Sequence, residues 1–216
     1  MFRSLTLSLC AVALANLVSL PAKAETAILA GGCFWCVESD LEAVPGVRDV
    51  VSGYAGGTSQ NPTYKSYEKG GHREVVKVDF DEAKLSYREL VDIFLRTIDV
   101  TDAGGQFCDR GHAYSSALYP LTDAQAKEAR AAVTEAAKDL GGNIATPVEG
   151  SALFWPAEDY HQGYYKSDTR TLTRFGYVTR ASAYKGYRKA CGRDAQVKKV
   201  WGKQAYKGVS KGGHGS

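Results

Sequence analysis

Cys33 and Cys36, in the segment Gly32-Cys33-Phe34-Trp35-Cys36, are the residues whose type and spacing speak most directly of chemistry. Thr26 to Ala30 is a short apolar run that stops at Gly31-Gly32, and from Cys33 to Ala43 apolar residues recur at helical intervals. The pair therefore falls where a strand feeds a helix. Free N–H groups and the positive dipole end of a helix N-terminus favour a thiolate, which predicts a nucleophile at Cys33. Cys36 lies on the same turn and can bridge to it only if that turn stays loose. A static disulfide, or two core cysteines, is the inert reading of the same residues. Phe34 and Trp35 cannot both turn inward easily, so at least one ring is expected to face whatever Cys33 faces.

Cys108, in a long glycine-rich loop from Asp99 to Gly111, and Cys191, in a lysine- and tyrosine-rich C-terminal segment, are further thiols that could meet an oxidised Cys33. Glu74 opens an alternating strand, where a carboxylate more often faces solvent. His72, His112 and His161 lack metal-ligand spacing such as HxxxH, so no metal is assigned, and no cofactor is expected.

The elements that must position these groups follow from hydrophobic periodicity. Val47 to Tyr54 and Glu74 to Phe80 read as strands, Tyr87 to Arg96 as an amphipathic helix capped by Ser86, and Asp123 to Leu140 as an alanine-rich helix. Ala113 to Tyr119 and Thr146 to Gly150 read as short strands. The order β-α-β-β-α-β, with an added helix and strand, predicts an α+β two-layer sandwich with a ferredoxin-like (split βαβ) core, because the middle strands are joined without a helix. The C-terminal segment from Ala181 onward reads as irregular, and residues 207–216 as a disordered tail.

A chain of 216 residues with 44% hydrophobic residues is long enough for one domain with a real core, placed here at residues 25–206. A formal charge of +3 with no Lys/Arg run longer than a pair gives no field that would argue for nucleic acid. At the N-terminus Arg3 precedes an uncharged apolar run from Leu5 to Leu20, then Pro21 and Ala22-Lys23-Ala24. That pattern predicts a signal peptide over residues 1–24, and hence a periplasmic protein with no stable membrane insertion once it is removed. Cys10 leaves with it. The absence of a long apolar surface stripe predicts a monomer.

GCFWC followed by Glu38, YAGG at Tyr54 to Gly57, NPTY at Asn61 to Tyr64 and GHREVV at Gly71 to Val76 together resemble the type A peptide methionine sulfoxide reductases. The resemblance continues through GGQFCDRG at Gly104 to Gly111, AEDYHQGYY at Ala157 to Tyr165 and CGRD at Cys191 to Asp194, covering essentially the whole mature chain. It implies reduction of the S epimer of methionine sulfoxide, free or in proteins, through a cysteine sulfenic acid and an intramolecular disulfide that a thioredoxin-like donor reduces. Cys33 would be the nucleophile, Glu74 the acid, Tyr64, Tyr114 and Asp109 the groups around the departing oxygen, and Phe34 and Trp35 the apolar pocket for the methyl group. Acid catalysis by Glu74 near neutral pH requires burial to raise its pKa. The resemblance places the resolving cysteine first at Cys191, in a segment mobile enough to swing in, and second at Cys36.

Two departures from the commonest pattern of that family stand out. Cys36 replaces a glycine, and Ala113 and Ser115 stand where Gln and Arg usually flank the tyrosine. A thioredoxin-like thiol-disulfide oxidoreductase using Cys33 and Cys36 is the alternative. It wants a βαβ unit ahead of its motif, and a single strand precedes Cys33. A disulfide- or zinc-stabilised binding module is weaker still, for want of a second CxxC pair.

Overall fold

The computed structural model describes residues 24–210. Its central sheet holds β1 (Ala24–Ala30), β2 (Val47–Ala55), β3 (Arg73–Asp81), β6 (Ala117–Tyr119) and β7 (Trp155–Pro156) in the order β6-β1-β3-β2-β7. The helix α1 (Phe34–Glu42) joins β1 to β2, yet β3 lies between these strands and pairs antiparallel with both. This is the split βαβ arrangement read from the sequence. Helices α2 (Tyr87–Leu95) and α3 (Asp123–Leu140) complete the helical layer, while β4 (Gly105–Gln106) and β5 (Asp109–Arg110) make a small ribbon inside the glycine-rich loop.

Alternation along the strands sends one set of side chains to the helices and the other to the opposite face. Leu29, Val76, Val78 and Phe80 pack with Phe34, Val37, Leu41, Leu90 and Phe94 in the main core. Ile28, Ala30, Val75 and Tyr119 form a smaller cluster that Ala152 and Phe154 partly cover. The α2 helix starts where Ser86 caps it: its hydroxyl accepts from the Glu89 N–H, and the Glu89 carboxylate accepts from the Ser86 N–H. The small residues Ala129, Ala132 and Ala136 form the buried stripe of α3.

Two strand expectations need correction. The strand expected at Ala113 to Tyr119 is confined to β6, because His112–Tyr114 closes a 3₁₀ turn. Thr146 to Gly150 forms only a single parallel bridge, Leu118 to Val148, and the strand added to the sheet edge is β7 instead. Pro147 has no N–H to give a continuing ladder.

The C-terminal segment is also far from irregular. After the hairpin of β8 (Arg170–Thr173) and β9 (Gly176–Thr179) come the helices α4 (Arg180–Ala190) and α5 (Arg193–Trp201). They bury Ala183, Tyr184, Val197 and Trp201, and alongside these they bury charge. Arg188 of α4 is buried and meets Asp40 of α1 at 2.9 Å and Asp194 at 2.6 Å. Buried Arg193 donates to the carbonyls of Thr97 and Gly31 at 3.1 and 3.3 Å. Order persists past 206, since the Tyr206 N–H donates to Arg96 and the Ser210 N–H to Ala43. A tail starting at 207 is therefore placed too early. Residues 211–216, and residues 1–23 of the expected signal peptide, lie outside the described residues. Among the described residues no helix is long and apolar enough to cross a membrane.

Candidate active site

Gly31 and Gly32 turn the chain from β1 into α1 in a space that admits no side chain. Gly32 has φ +79°, and a Cβ there would lie 2.5 Å from Gln106. Cys33 is the N-cap of α1, its carbonyl accepting the N–H groups of Cys36 and Val37 at 3.0 and 3.3 Å. A cavity of ≈ 340 Å³ opens in front of it, and Phe34, Trp35, Cys36, Tyr64, Glu74, Asp109, Tyr114 and Cys191 all border it. Every residue assigned to the site from the sequence thus reaches one place, although the elements that carry them are far apart in the chain.

Glu74, on β3, is buried. One carboxyl oxygen accepts the Phe34 N–H at 2.9 Å and the other meets the Tyr67 hydroxyl at 3.2 Å. Burial outweighs these two hydrogen bonds, and with the nearby Asp109 charge raises the Glu74 pKa to about 8. Most Glu74 is therefore a neutral acid at neutral pH, as acid catalysis requires. Tyr67, which sequence reading passed over, is buried, and its hydroxyl lies 3.0 Å from that of Tyr114. It links the carboxyl to a phenol of the cavity wall. Burial and the Glu74 charge push Tyr114 up to about 12 and Tyr64 higher, so both phenols keep their protons. Burial also raises Asp109.

The apolar wall is stacked. Trp35 lies flat on Tyr164, centroids 3.8 Å apart and planes 9° apart, while Phe34 and Trp35 both contact the ring of His161. His161 is buried, and burial lowers its pKa to about 4, so it packs as a neutral ring. The turn holding it backs the site: Glu158 accepts from the Tyr54 hydroxyl and the Tyr64 N–H, at 2.9 and 3.0 Å. At the departure from the usual pattern, Ser115 accepts from Arg73 at 2.8 Å, so the short hydroxyl is tied to a buried arginine.

The cysteines differ from expectation in two ways. Cys33 and Cys36 are free thiols, and they hydrogen-bond to each other. That bond, burial, and the negative groups around it, including Glu74 and Asp109, hold Cys33 well above the ordinary thiol range. The same bond, with Arg193 and Arg188 behind it, lowers Cys36 to about 7. The low-pKa thiol of the resting pair is thus Cys36 and not Cys33: each is shifted first by the other, Glu74 and Asp109 add to the rise of Cys33, and Arg193 and Arg188, against Asp40, favour the Cys36 thiolate. Secondly, Cys191 is joined to Cys108 in a disulfide, not poised in a mobile segment beside Cys33. Cys108, Asp109 and Cys191 converge as metal ligands might, but the two sulfurs are spent on each other.

The CxxC pair does not sit on a thioredoxin-like sheet. It opens the first helix of a split βαβ sheet, with a buried acid and three tyrosines converging on it. The comparisons agree with this geometry. The family profile described as peptide methionine sulfoxide reductase matches residues 25–203. The chain is 55% identical over 194 residues to a Rhizobium meliloti protein named peptide methionine sulfoxide reductase MsrA 2, covering 88% of this chain and 92% of that protein. With a Caulobacter vibrioides protein of the same name it shares 46% identity over 183 residues, covering 83% and 87%. Among solved structures, Mxr1 of Saccharomyces cerevisiae in reduced form superposes with a TM-score of 0.64 at 31% identity, over 73% of this chain and 93% of that one. Methionine sulfoxide reductase A of Corynebacterium diphtheriae gives 0.62 at 32%, over 69% and 76%. Sequence, fold and site agree, and the chain belongs to the peptide methionine sulfoxide reductase family.

Proposed function

We propose that this chain reduces the S epimer of methionine sulfoxide, in oxidised proteins and as the free amino acid, and that Cys33 and Cys36 carry the full redox change. The observation that supports this best is the buried Glu74 carboxyl, held neutral and anchored to the Phe34 N–H immediately after Cys33. The sulfoxide methyl group lies against Phe34 and Trp35, and its oxygen faces Glu74, Tyr64 and Tyr114. Cys33 gives its proton to the Cys36 thiolate and attacks the sulfoxide sulfur as Glu74 protonates the oxygen. The S–O bond breaks as the hydroxyl passes to the Cys33 sulfur, the new sulfur–sulfur bond breaks with its electron pair going to the substrate, methionine leaves, and Cys33 becomes a sulfenic acid, so the thiol is oxidised by the two electrons that the sulfoxide gains. Asp109 and the phenols steady the developing charge around the oxygen.

Cys36 then attacks the Cys33 sulfur, the hydroxyl leaves as water with the Cys36 proton, and a Cys33–Cys36 disulfide remains. Cys36 takes precedence over Cys191 here because Cys191 is already bonded to Cys108, whereas Cys36 is within hydrogen-bond reach. An external dithiol of the thioredoxin type restores the pair. The signal-like N-terminus supports action in the periplasm. The test is reduction of dabsyl-methionine sulfoxide with dithiothreitol. Release of the sulfide from the S epimer alone is expected, and disulfide reductase activity without sulfide formation would return the thioredoxin-like reading.

A further inference from the structure

Three arginines border the active-site cavity, and two of them are committed elsewhere. Arg188 is taken by Asp40 and Asp194, and Arg193 by the Gly31 and Thr97 carbonyls and by Asp40 at 3.7 Å. Arg174 differs: among the described residues its guanidinium makes no hydrogen bond and no ion pair, only ring contacts and a longer-range attraction to Asp109 on the same cavity. It sits in the turn between β8 and β9, with its guanidinium carbon 4.9 Å from the centre of the Phe175 ring and 4.8 Å from that of Tyr187. Those rings meet edge-on at 5.1 Å.

The clamp is built rather than incidental. Gly186 lies inside α4, where glycine is otherwise unfavourable, and a Cβ there would come within 2.8 Å of the Phe175 ring. The missing side chain is what lets the turn close onto the helix. The Thr173 hydroxyl, accepting the Phe175 N–H at 3.1 Å and donating to the Gly176 carbonyl at 3.2 Å, fixes the turn from within. A cation held on aromatic faces loses little freedom on pairing and keeps its in-plane donors for an anion, the fork geometry that matches a carboxylate.

We propose that Arg174 is the anion anchor of the substrate site, binding a carboxylate carried close to the methionine sulfoxide. That carboxylate is either the terminal one of the substrate or an acidic side chain next to it. The inference rests on the reading of the cavity as a methionine sulfoxide site. It adds a basis for choosing among substrates, since the reacting sulfur and oxygen are handled on the other walls.

The test compares kcat/KM for N-acetyl-methionine sulfoxide and its uncharged N-methylamide, and for two amidated peptides with internal methionine sulfoxide followed by Asp or Asn. Wild-type protein is expected to prefer a charged substrate over its neutral counterpart about tenfold, mostly through KM, a ratio equal to about 1.4 kcal/mol. Arg174→Gln should bring that ratio to about one, with Arg174→Lys in between, because it keeps the charge and loses the fork. A preference confined to the N-acetyl acid assigns the anchor to a chain end or free amino acid, and one confined to the Asp peptide assigns it to an acidic neighbour. Equal losses on charged and neutral substrates, or no wild-type preference in either pair, would overturn the proposal. A wild-type protein that reduces none of the four would overturn the reading of the cavity itself.

Discussion

Two pairs of cysteines face one cavity, and they are held there in opposite ways. Cys33 and Cys36 share a single helical turn, so the backbone of α1 alone brings them together, and they remain free thiols. Cys108 and Cys191 are bridged across 83 residues, and what brings them together is the fold: α5 docks through buried Arg193, whose guanidinium also lies 4.7 Å over the Phe107 ring beside Cys108. The consequence is energetic. By loop-closure entropy a bridge spanning so long a segment restrains the unfolded chain by roughly 4–5 kcal/mol, and one between residues three apart by roughly 2. The local pair can open and close in each cycle with little effect on the fold, while the distant pair staples the C-terminal helices over the site. Proximity to the cavity does not by itself make a cysteine part of the cycle.

Breaking the local pair should have the largest effect on activity. Cys33→Ser is expected to abolish single-turnover reduction, because a hydroxyl is a poor nucleophile and cannot store the oxidation as a sulfenic acid. Cys36→Ser should reduce at most one equivalent and then stall with a thioredoxin-type donor, and dimedone labelling of Cys33 would record the trapped sulfenic acid. Steady turnover of that variant at the wild-type rate would remove Cys36 from the cycle.

Glu74→Gln sharpens the chemistry on the other wall of the cavity, and a loss of about a hundredfold in the single-turnover rate is expected. Because the acid is the protonated form and its pKa is about 8, the wild-type limb that reports Glu74 should fall as pH climbs through that value. Stability shares this origin. An unfolded glutamate releases its proton above about 4.5 and the folded one only near 8, so this group's contribution falls as pH rises between the two. Glu74→Gln should flatten that slope in denaturant titrations.

The distant pair gives the smallest effect on chemistry and a clear one on folding. Replacing Cys108 and Cys191 together by serine should cost about 2–4 kcal/mol of stability, less than the loop-closure figure because the reduced unfolded chain keeps some structure, read from urea midpoints, while the first turnover stays within about threefold of wild type. A burst lost together with the bridge would place that pair inside the cycle.

The split βαβ core was legible because its signals are local: the apolar strands Thr26 to Ala30 and Glu74 to Phe80, the Ser86 cap, and the glycines before Cys33. The site residues were legible through their motifs, and all converge. What stayed hidden depends on partners remote in sequence. Arg188 reads as one more cation of an irregular, lysine- and tyrosine-rich segment until Asp40, 148 positions away, is seen beside it. Tyr67 reads as one tyrosine among 13 until its hydroxyl is found between Glu74 and Tyr114. The balance between the Cys33 and Cys36 thiols could not be read from helix position, since it is set by their contact with each other and by charged groups remote in sequence: Glu74, Asp109, Arg188 and Arg193.

The division of labour between the two pairs is tested most directly by mapping disulfides after one turnover. Wild-type protein, mixed with one equivalent of methionine sulfoxide without reductant and quenched by alkylation, should yield a peptide linked through Cys33 and Cys36, with the Cys108–Cys191 bridge intact. A Cys33–Cys191 link, with Cys36 alkylated, would contradict the account and return the resolving role to the C-terminal cysteine.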